Sequence, residues 1–300
     1  MTSKRTHMPF LFIIWLKNRN KKRSDDMEEI TRIQKLSAEE FFQKYYSPYH
    51  PVVITDWMEE WGATSKWSNP DYLKEKVGNK VLPVARSDKR LTLGDLEKGY
   101  QTIKVNQMDF HAFMDTITSN ERDADLFYYL QQIPISTFPE LAGDFQVPEF
   151  IQGKDIKVNL WLGSGGNITP THFDPASNFL AQVKGEKKLM LYAPNQTSRL
   201  YPFPFHSSNG NLSRVDVLNP NLDRYPRYKK VQAIECTLKA GEMLFLPAFW
   251  WHSVETITRD YTISLNFWWD PPMKQYMTPL GLRTKMTILY HRTRLLLNAK

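Results

Sequence analysis

A single cysteine, Cys236, in 300 residues excludes an internal disulfide framework and fits a reducing compartment. Long apolar runs are scarce too. The run Pro9 to Leu16 has eight residues, far below the roughly 20 that a bilayer span requires. No small-residue cleavage site follows it. The basic cluster Lys17 to Arg23 stands there instead, which excludes a secretory signal. Repeats and low-complexity tracts are absent. Acidic residues are missing from 271–300, which carry six Lys/Arg and a net charge of +6, while residues 1–27 carry +5. With +7 overall, the remaining residues sum to about −4, so the basic charge belongs to the two ends. A nucleic-acid groove in the centre would need clustered Lys/Arg there, and the balance counts against it. These absences lead us to expect an intracellular, cytoplasmic protein without a transmembrane span.

What is present is the material of a folded core, with 41% hydrophobic and 13% aromatic residues. Ser37-Ala-Glu-Glu40 reads as a capping box opening a helix to about Tyr46. Pro51 to Thr55 reads as a buried strand. Asn69-Pro70 starts a short helix that runs to Gly78. Further helical signals lie near 92–98 and 107–118. Trp57, Trp61 and Trp67 read as packing anchors. From about residue 125 the texture changes to short alternating runs broken by Gly, Pro and Asn. Strands are expected at 127–130, 157–162, 178–184, 187–192, 232–238, 243–246 and 261–268, and many short strands indicate a sandwich or barrel. The stretch 195–230 lacks periodicity and reads as a functional loop or an insertion over the site. Beyond Asp270 the pattern is helical, with Leu, Ile and Tyr among Arg and Lys.

The chemistry concentrates in Asn167 to Asp174 and, 78 residues further on, Trp250-Trp251-His252. In an extended segment, side chains at i and i+2 share a face. His172 and Asp174 can therefore both meet one ion while Phe173 packs outward. Gly241 to His252 reads as a Gly/Pro-bounded hairpin delivering a third ligand. Two imidazoles and one carboxylate suit non-haem Fe(II) with open coordination positions. His7, His50, His111, His206 and His291 lack such partners and read as ordinary loop or core histidines.

Thr169-Pro-Thr-His-Phe-Asp174, Asn178 to Lys187 and Gly241 to His252 together resemble the JmjC/cupin-like oxygenases that use Fe(II) and 2-oxoglutarate. The nearest motif likeness is to the asparaginyl hydroxylases that inhibit hypoxia-inducible factor. The resemblance covers residues 127–270 strongly and 30–120 more loosely. It implies a mainly β (α+β) fold, a double-stranded β-helix (jelly-roll, cupin) barrel with flanking N- and C-terminal helices. It implies iron held by His172, Asp174 and His252. It also implies a 2-oxoglutarate pocket containing Tyr129, Thr169, Asn178, Lys187 and Asn266, with dioxygen as the second cosubstrate. Strand alternation supports Lys187, which falls on one face with Leu189 and Leu191, where a buried dicarboxylate needs a fixed cation. Lys184 and Lys188 read as solvated edge residues. Gln131 and Trp268 are expected at the substrate. On this reading the chain divides into a basic, disordered extension at 1–27, with Met27 as an alternative start, an oxygenase domain at 28–270 with its barrel at 125–270, and a basic helical segment at 271–300.

One departure limits the likeness. Where the asparaginyl enzymes place an Arg-Gln pair on the target amide, Asn211-Leu212 stands, and leucine offers no hydrogen bond. The expected function is therefore a dioxygenase that hydroxylates a side chain of a protein or peptide. Its alternatives are a hydroxylase of a modified tRNA base or a lysine demethylase, with RNA as partner in the first case. A catalytically silent cupin-like scaffold would show a broken triad or no cosubstrate lysine. The Leu/Ile/Tyr face at 276–297 suggests a homodimer built on the C-terminal helices.

Overall fold

From residue 127 onward the alternating runs form strands close to the boundaries their patterning predicts. The computed structural model describes residues 28–88, 90, 104–207 and 209–298. The expected extension at 1–27 and helical signal at 92–98 lie outside them. Fourteen strands, numbered in chain order, make two sheets among the described residues. The smaller runs β1 (Glu28–Glu29), β11 (Ile234–Leu238), β10 (Lys187–Tyr192), β13 (Trp251–Thr256) and β8 (Ile168–Phe173). The larger runs β2 (Arg32–Ile33), β3 (Val52–Ile54), β12 (Met243–Leu246), β9 (Ser177–Lys184), β14 (Thr262–Trp269), β7 (Lys157–Gly163), β6 (Phe127–Pro134), β4 (Val81–Ser87) and β5 (Lys104–Asp109). The two sheets pack as a jelly-roll sandwich, mainly β with flanking helices.

Alternation creates three apolar layers. Leu180, Leu189, Leu191, Leu238 and Leu244 meet between the sheets. The other face of the large sheet presents Ile263, Leu265 and Phe267 to a layer of helices that contributes Phe41, Trp61, Trp67, Phe110 and Phe113. Trp57 packs against that layer, so all three tryptophans serve as anchors. On the outer face of the small sheet, Phe173, Tyr192 and Trp251 are covered by Leu200, Val215, Tyr225 and Tyr228 from the aperiodic stretch. Phe173 does leave the inner face, as alternation predicts, and enters this third cluster.

Three local expectations are corrected. The helix expected from 107 begins at Phe110, because 104–109 pairs with β4 and Asp109 caps the helix by accepting from the Ala112 amide. The capping box is half made. Ser37 Oγ accepts from the Glu40 amide at 3.2 Å, but Glu40 engages Lys44 instead of answering, and Phe42–Tyr46 widens into a π-helix. Gly241 to His252 is not a hairpin. β12 pairs within the large sheet and β13 within the small one, so Pro247 to Trp250 carry the chain across the sandwich.

Candidate metal centre

That crossover sets His252 opposite His172. The two rings face each other across the β13–β8 pair with centroids 4.1 Å apart. Asp174 follows directly after β8. Its oxygens lie 3.9 Å from His172 Nε2 and 3.9 Å from His252 Nε2, and the three ligand atoms all fall within 4.8 Å of one another. The crossover is clipped to this site, since the Phe249 amide donates to the Asp174 carbonyl at 2.8 Å. Phe249 takes φ 67, an unusual conformation for a bulky residue.

Each imidazole is oriented from behind. His172 Nδ1 lies 2.8 Å from the Pro170 carbonyl and His252 Nδ1 lies 3.1 Å from the Trp250 carbonyl. A carbonyl only accepts, so both Nδ1 atoms carry the proton and both Nε2 lone pairs point at the shared centre. Burial, then the neighbouring His172, push His252 down to about 4 against the pull of Asp174, so its ring is neutral at pH 7. Two imidazoles and one carboxylate gathered on one side are a donor set that could hold ferrous iron. Among the described residues no other His joins the group. His111 bonds the Lys74 carbonyl, His291 the Ser207 carbonyl, and His206 lies beside Phe205 and Tyr290.

Register lays out the rest as rows. On the small sheet, His172, His252 and Leu191 form one row, Thr169, Val254 and Leu189 the next, and Thr256 with Lys187 the third. Lys187 thus lies four residues from the histidine row, about 13 Å of strand, with Thr169 between. The facing strands supply Trp268 with Asn178, then Asn266, then Ser264 with Gln182 and Trp161. Lys187 is buried, and its Nζ donates to Ser264 Oγ at 2.6 Å. Burial lowers its pKa to about 7. Tyr129 lies against Gly163, where a Cβ would collide with its ring, and its hydroxyl bonds the Asn167 side chain. Burial raises that phenol above its ordinary range and keeps it a neutral donor.

Asn178 Oδ1, Gln182 Oε1, Trp161 Nε1 and Trp268 Nε1 are buried without partners among the described residues. Buried polar atoms are nearly always paired, so this cluster beside a lysine held by one hydroxyl fits a small polar guest. Ser264, Gln182 and Trp161 were not singled out from the sequence. Extending the alternation by two residues from Asn266 and by four from Asn178 would have found the first two.

A cavity of about 390 Å³ opens at the metal end, lined by Gln132, Asp155, Lys157, Asp174, Trp268 and Asp270 among others. Trp268 is part of that wall. Gln131 does not line the cavity; the bulge between Leu130 and Ile133 turns Gln132 onto its wall instead, with φ 54. Leu212 bridges His172 through its backbone and is buried, while Asn211 Nδ2 donates to the Phe173 carbonyl. Lys184 and Lys188 are paired, with Asp260 and Glu235.

Residues 38–275 match the sequence profile of a family described as a cupin-like domain. The chain is 34% identical over 254 residues to the lysine-specific demethylase JMJ30 of Arabidopsis thaliana, covering 83% of this chain and 56% of that protein. It is 32% identical to lysine-specific demethylase 8 of Xenopus tropicalis, covering 81% of this chain and 54% of the relative. It is 28% identical to tRNA wybutosine-synthesizing protein 5 of Mus musculus, covering 80% and 77%. The chain therefore spans little more than half the length of the two demethylases.

Proposed function

The chain belongs to the cupin-like JmjC family of Fe(II)- and 2-oxoglutarate-dependent oxygenases, and from that premise we propose that it hydroxylates a side chain of a protein or peptide. In this reading His172, Asp174 and His252 hold the iron. Lys187, with Tyr129 and Thr169 beside it, receives the distal carboxylate of 2-oxoglutarate, while Asn178 and Asn266 line the path between. Iron, 2-oxoglutarate and dioxygen together supply the oxidation of a C–H bond, with release of succinate and carbon dioxide. The observation that carries the reading is one inner face with a His/Asp/His group at one end and a buried lysine at the other.

The chain's own contribution is orientation and exclusion. The Pro170 and Trp250 carbonyls fix both imidazoles. The apolar layer around Leu189 and Leu191 keeps water from the cosubstrate. Trp268, Gln132, Asp155 and Asp270 frame the substrate entrance. Asp155 and Asp270 against Lys157 at that entrance suit a neutral or cationic side chain better than a polyanion. Asparagine is disfavoured as the target, since Leu212 is buried and Asn211 already serves a backbone carbonyl.

Purified protein given Fe(II), 2-oxoglutarate and a peptide library should yield succinate and +16 mass shifts. His172→Ala or Asp174→Ala should reduce succinate to background. Equal turnover by both variants would sink the assignment. A second reading is demethylation of lysine, for which two relatives are named, because hydroxylating an N-methyl group is the same C–H oxidation on a cationic side chain. Formaldehyde released from methyl-lysine peptides would favour it. Hydroxylation of a tRNA base, suggested by the mouse relative's name, would require RNA to engage the basic ends. We also infer that the C-terminal helix pairs two copies of the chain.

A further inference from the structure

We propose that the outer face of the small sheet carries a second binding site, back to back with the metal triad, for a small neutral molecule with an apolar body and one hydrogen-bonding group. A cavity of about 550 Å³ opens there, between the sheet and the covering stretch at 215–218 and 228–233. Its volume lies within the roughly 300–1,000 Å³ usual for small-molecule pockets.

Its floor comes from the same strands that carry the histidines. Thr171 immediately precedes His172 and Ser253 immediately follows His252, and both line the cavity. Adjacent side chains of a strand point to opposite faces, so the histidines and these two hydroxyls are separated by the thickness of one sheet. Thr171 Oγ1 is buried without a partner, and Ser253 makes no hydrogen bond to any described residue through its side chain. Thr171 Oγ1 is sealed beneath the floor, so the Ser253 hydroxyl is the group that a ligand's polar atom would meet in the cavity.

The walls decide the ligand's character. Met190, Val217, Val231 and Ala233 supply an apolar surface. The charged groups of the floor are already spent on each other or on neighbours. Lys188 Nζ lies 2.9 Å from Glu235, and Glu255 lies 2.7 Å from Arg90. On the rim, Asp216 accepts from the Leu218 and Asn219 amides, and Lys229 is exposed to solvent. No buried, unpaired cation awaits a carboxylate, so this site is unsuited to the dicarboxylate expected on the inner face. The cover is anchored to the floor as well, because the Ser213 amide donates to the Thr171 carbonyl at 2.8 Å. A guest here would lie directly beneath that tie.

The probe is 2-naphthol, an apolar bicycle with one hydroxyl, titrated by calorimetry into the full chain saturated with 2-oxoglutarate and Fe(II) under nitrogen. Saturable one-to-one binding is expected. Ala233→Phe and Val217→Phe, which fill the cavity from two different walls, should each weaken it about tenfold or more while circular dichroism stays unchanged. Binding that is absent from this saturated wild type, or that survives both substitutions, overturns the site. The two substitutions come from different segments, so a folding defect in one leaves the other as the test.

Discussion

On the proposed reading, Lys187 is a charge switch placed where a charge is needed. Burial alone brings it down to about 7, and Ser264 Oγ is the only bonded partner it has among the described residues. A lysine so depressed is largely neutral just above pH 7, yet pairing with a carboxylate requires the ammonium. Binding 2-oxoglutarate should therefore take up a proton. Affinity should be full below about pH 7 and fall by up to tenfold per unit above it, until the pH passes the raised pKa of the bound state. Calorimetry at pH 8 in two buffers of different ionisation enthalpy measures the uptake directly. Lys187→Met should weaken binding and abolish the proton uptake, whereas pH-independent affinity between pH 7 and 9 would show the lysine charged throughout. Much at this scale was legible in the sequence. His-x-Asp, a distant His and an alternating lysine are patterns of residue type and spacing. Trp161 was not, since a tryptophan in an apolar strand has no distinguishing pattern until a partner faces it. Gln131 was displaced by its neighbour because one bulge reverses which side chain faces the cavity.

Elements were legible where one period ruled a segment. β14 alternates between Ser264, Asn266 and Trp268 inward and Ile263, Leu265 and Phe267 outward, and it was located almost to the residue. The helix expected over 107–118 begins only at Phe110 because β5 passes directly into it, leaving no turn residue to mark the change at Asp109. The crossover at 247–250 failed for another reason, as sheet membership is a long-range property that local turn signals do not carry. Among the helical elements, Asp144 is the tie that sequence spacing could not reveal. It accepts from Lys66 Nζ at 2.6 Å, Trp67 Nε1 at 2.9 Å and Tyr72 Oη at 2.7 Å, joining Gly62–Lys66 and Pro70–Val77 to its own 3-10 turn. Burial pushes its carboxyl up, but these donors outweigh burial and hold it below the usual range. Its contribution is therefore complete above about pH 4 and lost as the pH falls through the depressed value. Asp144→Ala should cost about 3 kcal/mol, measured by urea unfolding at pH 7, and Asp144→Asn about half of that. The cost should shrink at pH 2, and a pH-independent loss would assign Asp144 to packing alone.

At the scale of the molecule, the charge left over by the sandwich sits with an uncovered helix. Pro279–Asn298 is anchored at its start, where Leu280 and Thr284 are buried, Gly281 lies against Tyr276, and Arg283 donates to the Phe203 carbonyl. Its later turns expose Leu282, Met286, Leu289 and Leu296, the last at 72%. With Thr293 these positions recur at alternating steps of four and three, the spacing of a coiled-coil seam. No helix among the described residues is long and apolar enough to cross a membrane, and on the proposed reading a second copy of the chain covers this apolar stripe. A second copy matches it residue for residue, but each copy brings six Lys/Arg and no acid in residues 271–300. Pairing two such helices is opposed by like charge, which salt screens within about 10 Å at 0.1 M. The homodimer should therefore tighten as salt is added. Binding of the same basic end to RNA would behave oppositely and weaken with salt, because released counterions drive it. Sedimentation equilibrium across a salt series separates the two. Dimer mass should rise with salt, and Leu289→Glu with Leu296→Glu should leave a monomer of unchanged turnover. A monomer at every salt and protein concentration would refute the pairing, and tRNA binding that collapses with salt would assign the helix to nucleic acid.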